Sequence, residues 1–312
     1  MPELPEVETI VRGLRGRLMG RTIRSVNVRT PAVIRGVGPR LLMRRLRGAC
    51  VEGVERRGKY ILLRLDNRVD VIIHLRMTGQ LLFGADDWDR AADALTSALR
   101  ATGDSPDKRR GDKSRIDRSA SLPSRSPLVR DPYVRVVFHF DDGLRLLFRD
   151  VRRLGEIRLV ADGDWGAVPG LRRLGPEPVG RGLSAERLAR SFARRRAAVK
   201  SVLMDQRVVA GIGNIYASEI LHAAGIDPRR PSAGLRRDEV ERILRATRAT
   251  LRRAIRRLGT TFRDFRGPEG AVGGYKPRVY GRAGEACPVC RQEIRRVTIA
   301  GRSTYMCPRC QT

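Results

Sequence analysis

The spacing of apolar residues changes character part-way along the chain, and that change limits the folds open to it. Val7, Ile10, Val11, Leu14 and Leu18 recur at helical intervals ahead of Gly20, which predicts an amphipathic helix over residues 6–19. From Thr22 to Phe83 the pattern shortens to strands: TIRSVNV, YILLRL and VDVIIHLRMTGQLLF, broken by Gly- and Asn-containing turns. YVRVVFHFDDGLRLLFRD predicts a hairpin with DDG at its turn, and LGEIRLV continues it. One helix followed by about eight short strands makes a β-sandwich or barrel the expectation for residues 1–160. A linker is expected over 161–176, where the chain runs into PGLRRLGPEP. The helical period then returns in LSAERLARSFARR, AAVKSVLMDQ, IYASEILHAAG and DEVERILRATRATLRRAIRRLG, giving a helical domain over 177–283. GIGN separates two of these helices, and residues 284–312 form a module of their own. The expectation is an α+β chain.

Between the two strand runs lies an interruption, residues 86–131. WDRAADALTSALRA has helical character; GDSPDKRRGDKSRIDRSASLPSRSP is polar and rich in Pro and Ser, the composition of a flexible insertion. It is either a tolerated loop or a basic arm that grips a polyanion.

Charge narrows the partners. The 312 residues carry a net charge of +30, with a pI near 11.5, and such self-repulsion points to a polyanionic partner. No run reaches the roughly 18 apolar residues of a membrane span. Acids and prolines (Pro2, Glu3, Pro5, Glu6, Glu8) stand where a signal peptide would have a basic and then an apolar region. A cytoplasmic, monomeric, nucleic-acid-binding protein is expected. Only Lys59, Lys108, Lys113, Lys200 and Lys276 interrupt an otherwise all-arginine basic set of 64. Lysine offers a compact ammonium that can lose its proton, so Lys59, Lys200 and Lys276, in structured-looking segments, mark candidate sites.

The tail reads CPVC, sixteen residues, then CPRC. Cys287, Cys290, Cys307 and Cys310 have the two-knuckle spacing of one tetrahedral zinc ion, Zn2+, with VTIAGRSTYM as a β-hairpin between the pairs. Four sulfur ligands leave no open position, so the metal's role is structural. Cys50 stands alone and reads as a buried residue.

Taken in order, MPELPEVE, RRGKYILL, HLRMTGQL, DVRRLGEI, LGPEP, LMDQRVVAGIGNIYASEILHAAGI, VYGRAGEACPVC and CPRC resemble the formamidopyrimidine-DNA glycosylase family, bifunctional glycosylase/AP lyases of bacterial base-excision repair. The resemblance covers nearly the whole chain. It implies an N-terminal β-sandwich, a helix–two-turns–helix domain and a zinc finger, acting on damaged double-stranded DNA of the bacterial nucleoid. Removal of Met1 would expose the secondary amine of Pro2. An α-amino group has a reference pKa about two and a half units below lysine's, so much more of it is free base at neutral pH. Attack on the anomeric carbon expels the base and leaves an iminium that cannot lose its charge, an electron sink for elimination of the 3′ and then the 5′ phosphate.

The resemblance also implies roles for other residues. Glu3 is the general acid/base and Lys59 the catalytic-site lysine, whereas Glu6 and Glu8 read as first-turn acids complementing the helix dipole. Asn214, with backbone N–H groups at a helix N-terminus, and Arg282 ahead of the first zinc knuckle would hold phosphates, and Lys200 is read as a further DNA contact. Met77, Arg152 and Leu154 would fill the hole left by the extruded base; better-known members carry phenylalanine at the third position. GAVGGYKPRVYGR, with Tyr275 and Lys276, occupies the place of the loop that closes over an oxidised purine, and it is short. An open pocket favours ring-opened formamidopyrimidines and abasic sites over 8-oxoguanine. The alternatives are an endonuclease VIII-like enzyme for oxidised pyrimidines and a non-catalytic damage-binding paralogue. Leu4 and VYGRAGEACPVC speak against the first; Pro2, Glu3 and Lys59 speak against the second.

Overall fold

The computed structural model describes residues 2–84, 131–180, 182–260 and 273–312. The expected insertion and its helix therefore lie outside the described residues, apart from Asp131, as does the part of the lesion-loop segment before Gly273.

The chain enters through helix α1 (Leu4–Leu18), with Pro5 in its first turn, where the missing N–H costs nothing. Two packed sheets follow. One runs β1–β7–β8–β6 (Ile23–Val28, Val134–Phe140, Arg145–Asp150, Gly79–Gly84) and is antiparallel throughout. The other runs β2–β9–β5–β4–β3 (Ile34–Arg35, Glu156–Ala161, Val69–His74, Tyr60–Leu65, Val51–Arg57), parallel only where β2 meets β9. Alternate residues such as Ile61, Leu63, Val71 and Ile73 from one sheet and Val136, Phe138, Leu146 and Phe148 from the other share one core with the apolar stripe of α1.

The strand reading of residues 22–83 missed one element. Pro39–Leu46 is a helix, α2, started by Pro39 and burying Leu42 and Leu46 one turn apart in the sandwich core. Its arginines mask that spacing in the sequence. The stretch read as a linker is also packed. Val168 and Leu171, from a short helix α3 (Pro169–Arg172) and its approach, bury Tyr60, Leu62 and Ile72 on the outer face of the five-stranded sheet.

Four helices build the second core: α4 (Ala185–Ala193), α5 (Val199–Met204), α6 (Asn214–Ala224) and α7 (Arg237–Arg256). Ser184 caps α4 by accepting the Arg187 N–H, and Gly225 ends α6 in the left-handed region. The tail folds as a hairpin, β10 (Arg295–Ile299) with β11 (Arg302–Met306), over Val279, Ile294, Cys287 and Cys307. Helix α1 touches both main bodies, packing on β3 and on α7.

Candidate active site

The chain's first residues end at the seam between the two bodies. Pro2 and Glu3 are buried there, Glu3 at 1 % exposure. The Glu3 carboxylate accepts backbone N–H groups from Gly213 (2.7 Å), Ile215 (2.9 Å) and Tyr216 (3.3 Å), so it caps the N-terminus of α6 from the far end of the sequence. A helix N-terminus favours an anion, and here the protein supplies its own. Burial nonetheless raises the Glu3 pKa, with Lys59 opposing the rise. A buried carboxyl with a raised pKa can both donate and accept a proton.

Glu3 thus takes the N–H groups of Gly213, Ile215 and Tyr216 at the start of α6. Glu6 stands in the first turn of α1, as its sequence reading has it, and does more there than complement the helix dipole. It is 1 % exposed, and its carboxylate accepts the Tyr216 hydroxyl (2.7 Å), the Thr260 N–H (2.9 Å) and the Glu3 N–H (3.0 Å). It therefore ties α1 to α6 and to the end of α7. Glu8 forms ion pairs with Arg12 and Arg56.

Lys59 follows a tight turn between β3 and β4. Gly58 makes that turn at φ +58°, and a side chain there would collide with Leu174 at 2.8 Å. Glu177, from LGPEP, holds the turn by accepting the Gly58 N–H at 2.6 Å and pairing with Arg56. The Lys59 ammonium is buried, which lowers its pKa, and the charges of Glu3 and Glu6 counter that shift.

Lys200 lies behind this site, 1 % exposed on α5. Its Nζ donates to Asn214 Oδ1 (2.6 Å), Thr304 Oγ1 (2.7 Å) and Ser303 O (3.3 Å), and Asn214 Nδ2 donates back to Ser303 O (3.0 Å). The zinc hairpin is thus bonded to the two helices that carry Lys200 and Asn214. Arg302, exposed at the start of β11, is close enough to depress both lysines' pKa values, and Lys200 is brought down to about 8, chiefly by burial. Arg302 is the functional candidate that sequence reading missed. Among the tail's many arginines, only its place in the Gly301 turn distinguishes it. Arg282, the residue favoured from the motif, is instead held by Glu285 (2.7 Å) and the Arg278 carbonyl (2.7 Å).

Met77, Arg152 and Leu154 come together. They stand on two neighbouring loops at one end of the four-stranded sheet, with Met77 and Leu154 each nearly half exposed and Arg152 Nη1 3.8 Å from Met77 Sδ. Burial holds His74 neutral, with its pKa lowered to about 3, so its Nδ1 accepts the Arg76 N–H (3.1 Å) and helps shape the Met77 loop. Tyr275 differs from the expected loop residue. It is a core residue, 3 % exposed, whose hydroxyl donates to Glu219 Oε2 (3.0 Å), while Lys276 beside it is exposed.

The sulfurs of Cys287, Cys290, Cys307 and Cys310 all lie within 4.8 Å of one another, with pairs at 3.4 and 3.9 Å. Tetrahedral zinc at its usual bond length needs sulfurs about 3.8 Å apart, so the set fits one ion. Bound there, zinc supplies a rigid crosslink and no open coordination position. His222 of α6 lies 3.5 Å from Cys287 Sγ, a further link between the finger and the helical body. Cys50 stands apart, half-buried at a strand edge.

Known proteins resemble this chain along its whole length. Residues 1–157 match the model of the formamidopyrimidine-DNA glycosylase N-terminal domain, 174–266 that of the H2TH domain of the same enzymes, and 284–312 a zinc finger found in FPG and IleRS. A formamidopyrimidine-DNA glycosylase of Symbiobacterium thermophilum is 39% identical over all of this chain and 89% of its own length. One from Paracoccus denitrificans is 40% identical over the whole of both. Among solved structures, MutM (Fpg) of Thermus thermophilus superposes with a TM-score of 0.78 at 33% identity, covering 99% of this chain and 98% of that one. Lactococcus lactis Fpg, in complex with DNA containing N7-benzyl-Fapy-dG, superposes with a TM-score of 0.79 at 27% identity over the full length of both.

Proposed function

This chain belongs to the formamidopyrimidine-DNA glycosylase family, and on that premise we propose that it excises oxidised purines from duplex DNA and then nicks the abasic strand. Met1 removal frees the Pro2 amine, which attacks C1′ of the extruded nucleotide. The C1′–N bond breaks, the base leaves with a proton, and the sugar ring opens to an iminium. Glu3, buried beside Pro2 with a raised pKa, delivers a proton to the ring oxygen and later accepts one. The iminium acidifies C2′, and loss of that proton expels the 3′ phosphate; a second elimination expels the 5′ phosphate. Lys59 and Arg302 hold the flanking phosphates, while Lys200, its donors spent on Asn214, Thr304 and Ser303, adds a buried positive charge behind them. Met77, Arg152 and Leu154 fill the vacated space in the stack.

The observation that carries this reading is the buried Glu3 carboxylate beside Pro2, fixed by amides from the opposite domain. The endonuclease VIII-like alternative is set aside, because full-length relatives near 40% identity are formamidopyrimidine-DNA glycosylases. No helix among the described residues is long and apolar enough to cross a membrane. Borohydride trapping on abasic-site duplexes is the test. A covalent adduct is expected from protein with a free Pro2 and none from protein extended ahead of it. Full trapping by the extended protein would move the nucleophile to a lysine, with Lys59 first.

A further inference from the structure

We propose that the Asp150 carboxylate and the Thr78 hydroxyl clasp the Met77 loop and the Arg152–Leu154 loop into one rigid wedge, and that this clasp sets discrimination of the base opposite the lesion. The proposal rests on the reading that Met77, Arg152 and Leu154 enter the duplex.

Strands β6 and β8 are antiparallel neighbours with Gly79 opposite Asp150, so both loops leave the same end of one sheet. Asp150 is fully buried at the last position of β8. One of its oxygens accepts the Thr78 hydroxyl at 2.5 Å and the Arg152 N–H at 3.1 Å; the other accepts the Gly155 N–H at 2.7 Å. A single carboxylate thus closes its own loop at both ends and fastens the neighbouring loop to it. Arg135 braces the assembly from below. Its buried guanidinium donates to the carbonyls of Asp150 (2.7 Å), Pro132 (2.9 Å) and Val151 (3.4 Å). Gly155 has no room for a side chain, since a Cβ would fall 2.6 Å from the Phe148 ring. Each loop also holds one arginine in the left-handed region, Arg76 at φ +52° and Arg153 at φ +57°, a conformation that persists only when surrounding contacts enforce it.

Three donors converge on two carboxylate oxygens, a geometry that an amide cannot satisfy because its NH2 would face another donor. The clasp matters for function because inserting loose side chains into a stack would add the entropy cost of ordering them at that moment. A wedge already ordered converts a small misfit with the opposite base into a difference in rate. Asp150 and Thr78 are therefore positioning residues for Met77, Arg152 and Leu154.

The test compares Thr78→Val with Thr78→Ser. Single-turnover excision of a formamidopyrimidine opposite cytosine and opposite adenine is measured beside strand cleavage at a preformed abasic site. Thr78→Val is expected to slow excision roughly tenfold, the scale of one lost buried hydrogen bond, and to narrow the cytosine-to-adenine ratio. Abasic cleavage should stay within about twofold, since its substrate has no base to unstack. Thr78→Ser, which keeps the hydroxyl, should restore both excision and the ratio. An unchanged ratio in Thr78→Val, or equal loss of excision and abasic cleavage, would overturn the clasp. Met77→Ala and Leu154→Ala separate the premises. If they slow excision while Thr78→Val does not, the clasp fails alone; if they leave excision unchanged, the wedge reading fails and the clasp with it.

Discussion

A methyl group on Gly213 would sit 2.4 Å from the Glu3 carboxyl carbon, so this position admits no side chain while the carboxylate keeps its place. Gly213→Ala must displace the Glu3 carboxylate from its place, and displacement of a catalytic group by about 1 Å costs on the order of a hundredfold in rate. That loss is expected in single-turnover excision, with the far-ultraviolet spectrum of the wild type retained. Gly234→Ala, which meets open space, should leave the rate unchanged. Lys200 gives a second prediction at this scale. Burial brings its pKa to about 8, with Glu3 raising and Arg302 lowering it. An arriving phosphate favours the charged form and raises that pKa. Above pH 8, DNA binding should therefore take up a proton, and affinity should fall as pH rises. Calorimetry in buffers of different ionisation enthalpy measures the uptake, and Lys200→Gln should abolish it.

Among the elements, the zinc hairpin reaches furthest. Lys200 donates to its Ser303 carbonyl and Thr304 hydroxyl, Asn214 donates to the same Ser303 carbonyl, and Arg302 begins its second strand. Cys307→Ser, or chelation of the metal, should unfold the hairpin and release all three residues together. Duplex affinity should collapse while the sandwich keeps its own melting transition; undiminished binding by metal-free protein would contradict this link. The hairpin was legible in the sequence because two CxxC pairs are local patterns with one chemical reading. Lys59 was legible because lysine is scarce here. The partner of Glu3 was not, since a carboxylate capping a helix some 210 residues away leaves no periodic trace. Arg302 was hidden for another reason: its chemistry comes from where the hairpin turn points, and the sequence offers dozens of equivalent cations. Helix α2 was lost because two buried leucines among arginines resemble a broken strand.

At the scale of the whole molecule, a net charge of +30 implies that binding is driven largely by release of counterions from DNA. The logarithm of affinity should fall linearly with the logarithm of salt concentration, each phosphate contact adding nearly one unit of slope. Arg302→Gln should reduce the slope by about one unit, whereas Arg282→Gln, already committed to Glu285, should barely change it. Titrations across salt concentrations decide between the two arginines. The seam between the bodies has a consequence for how the protein is made. The ribosome emits Pro2, Glu3 and Lys59 early, but the amides that fix Glu3 emerge only at residues 213–216, and Arg302 follows later still. On the proposed mechanism, a growing or prematurely terminated chain thus carries the Pro2 amine without the amides that aim Glu3 or the hairpin that bears Arg302. Strand scission is expected only from chains whose synthesis has passed the hairpin.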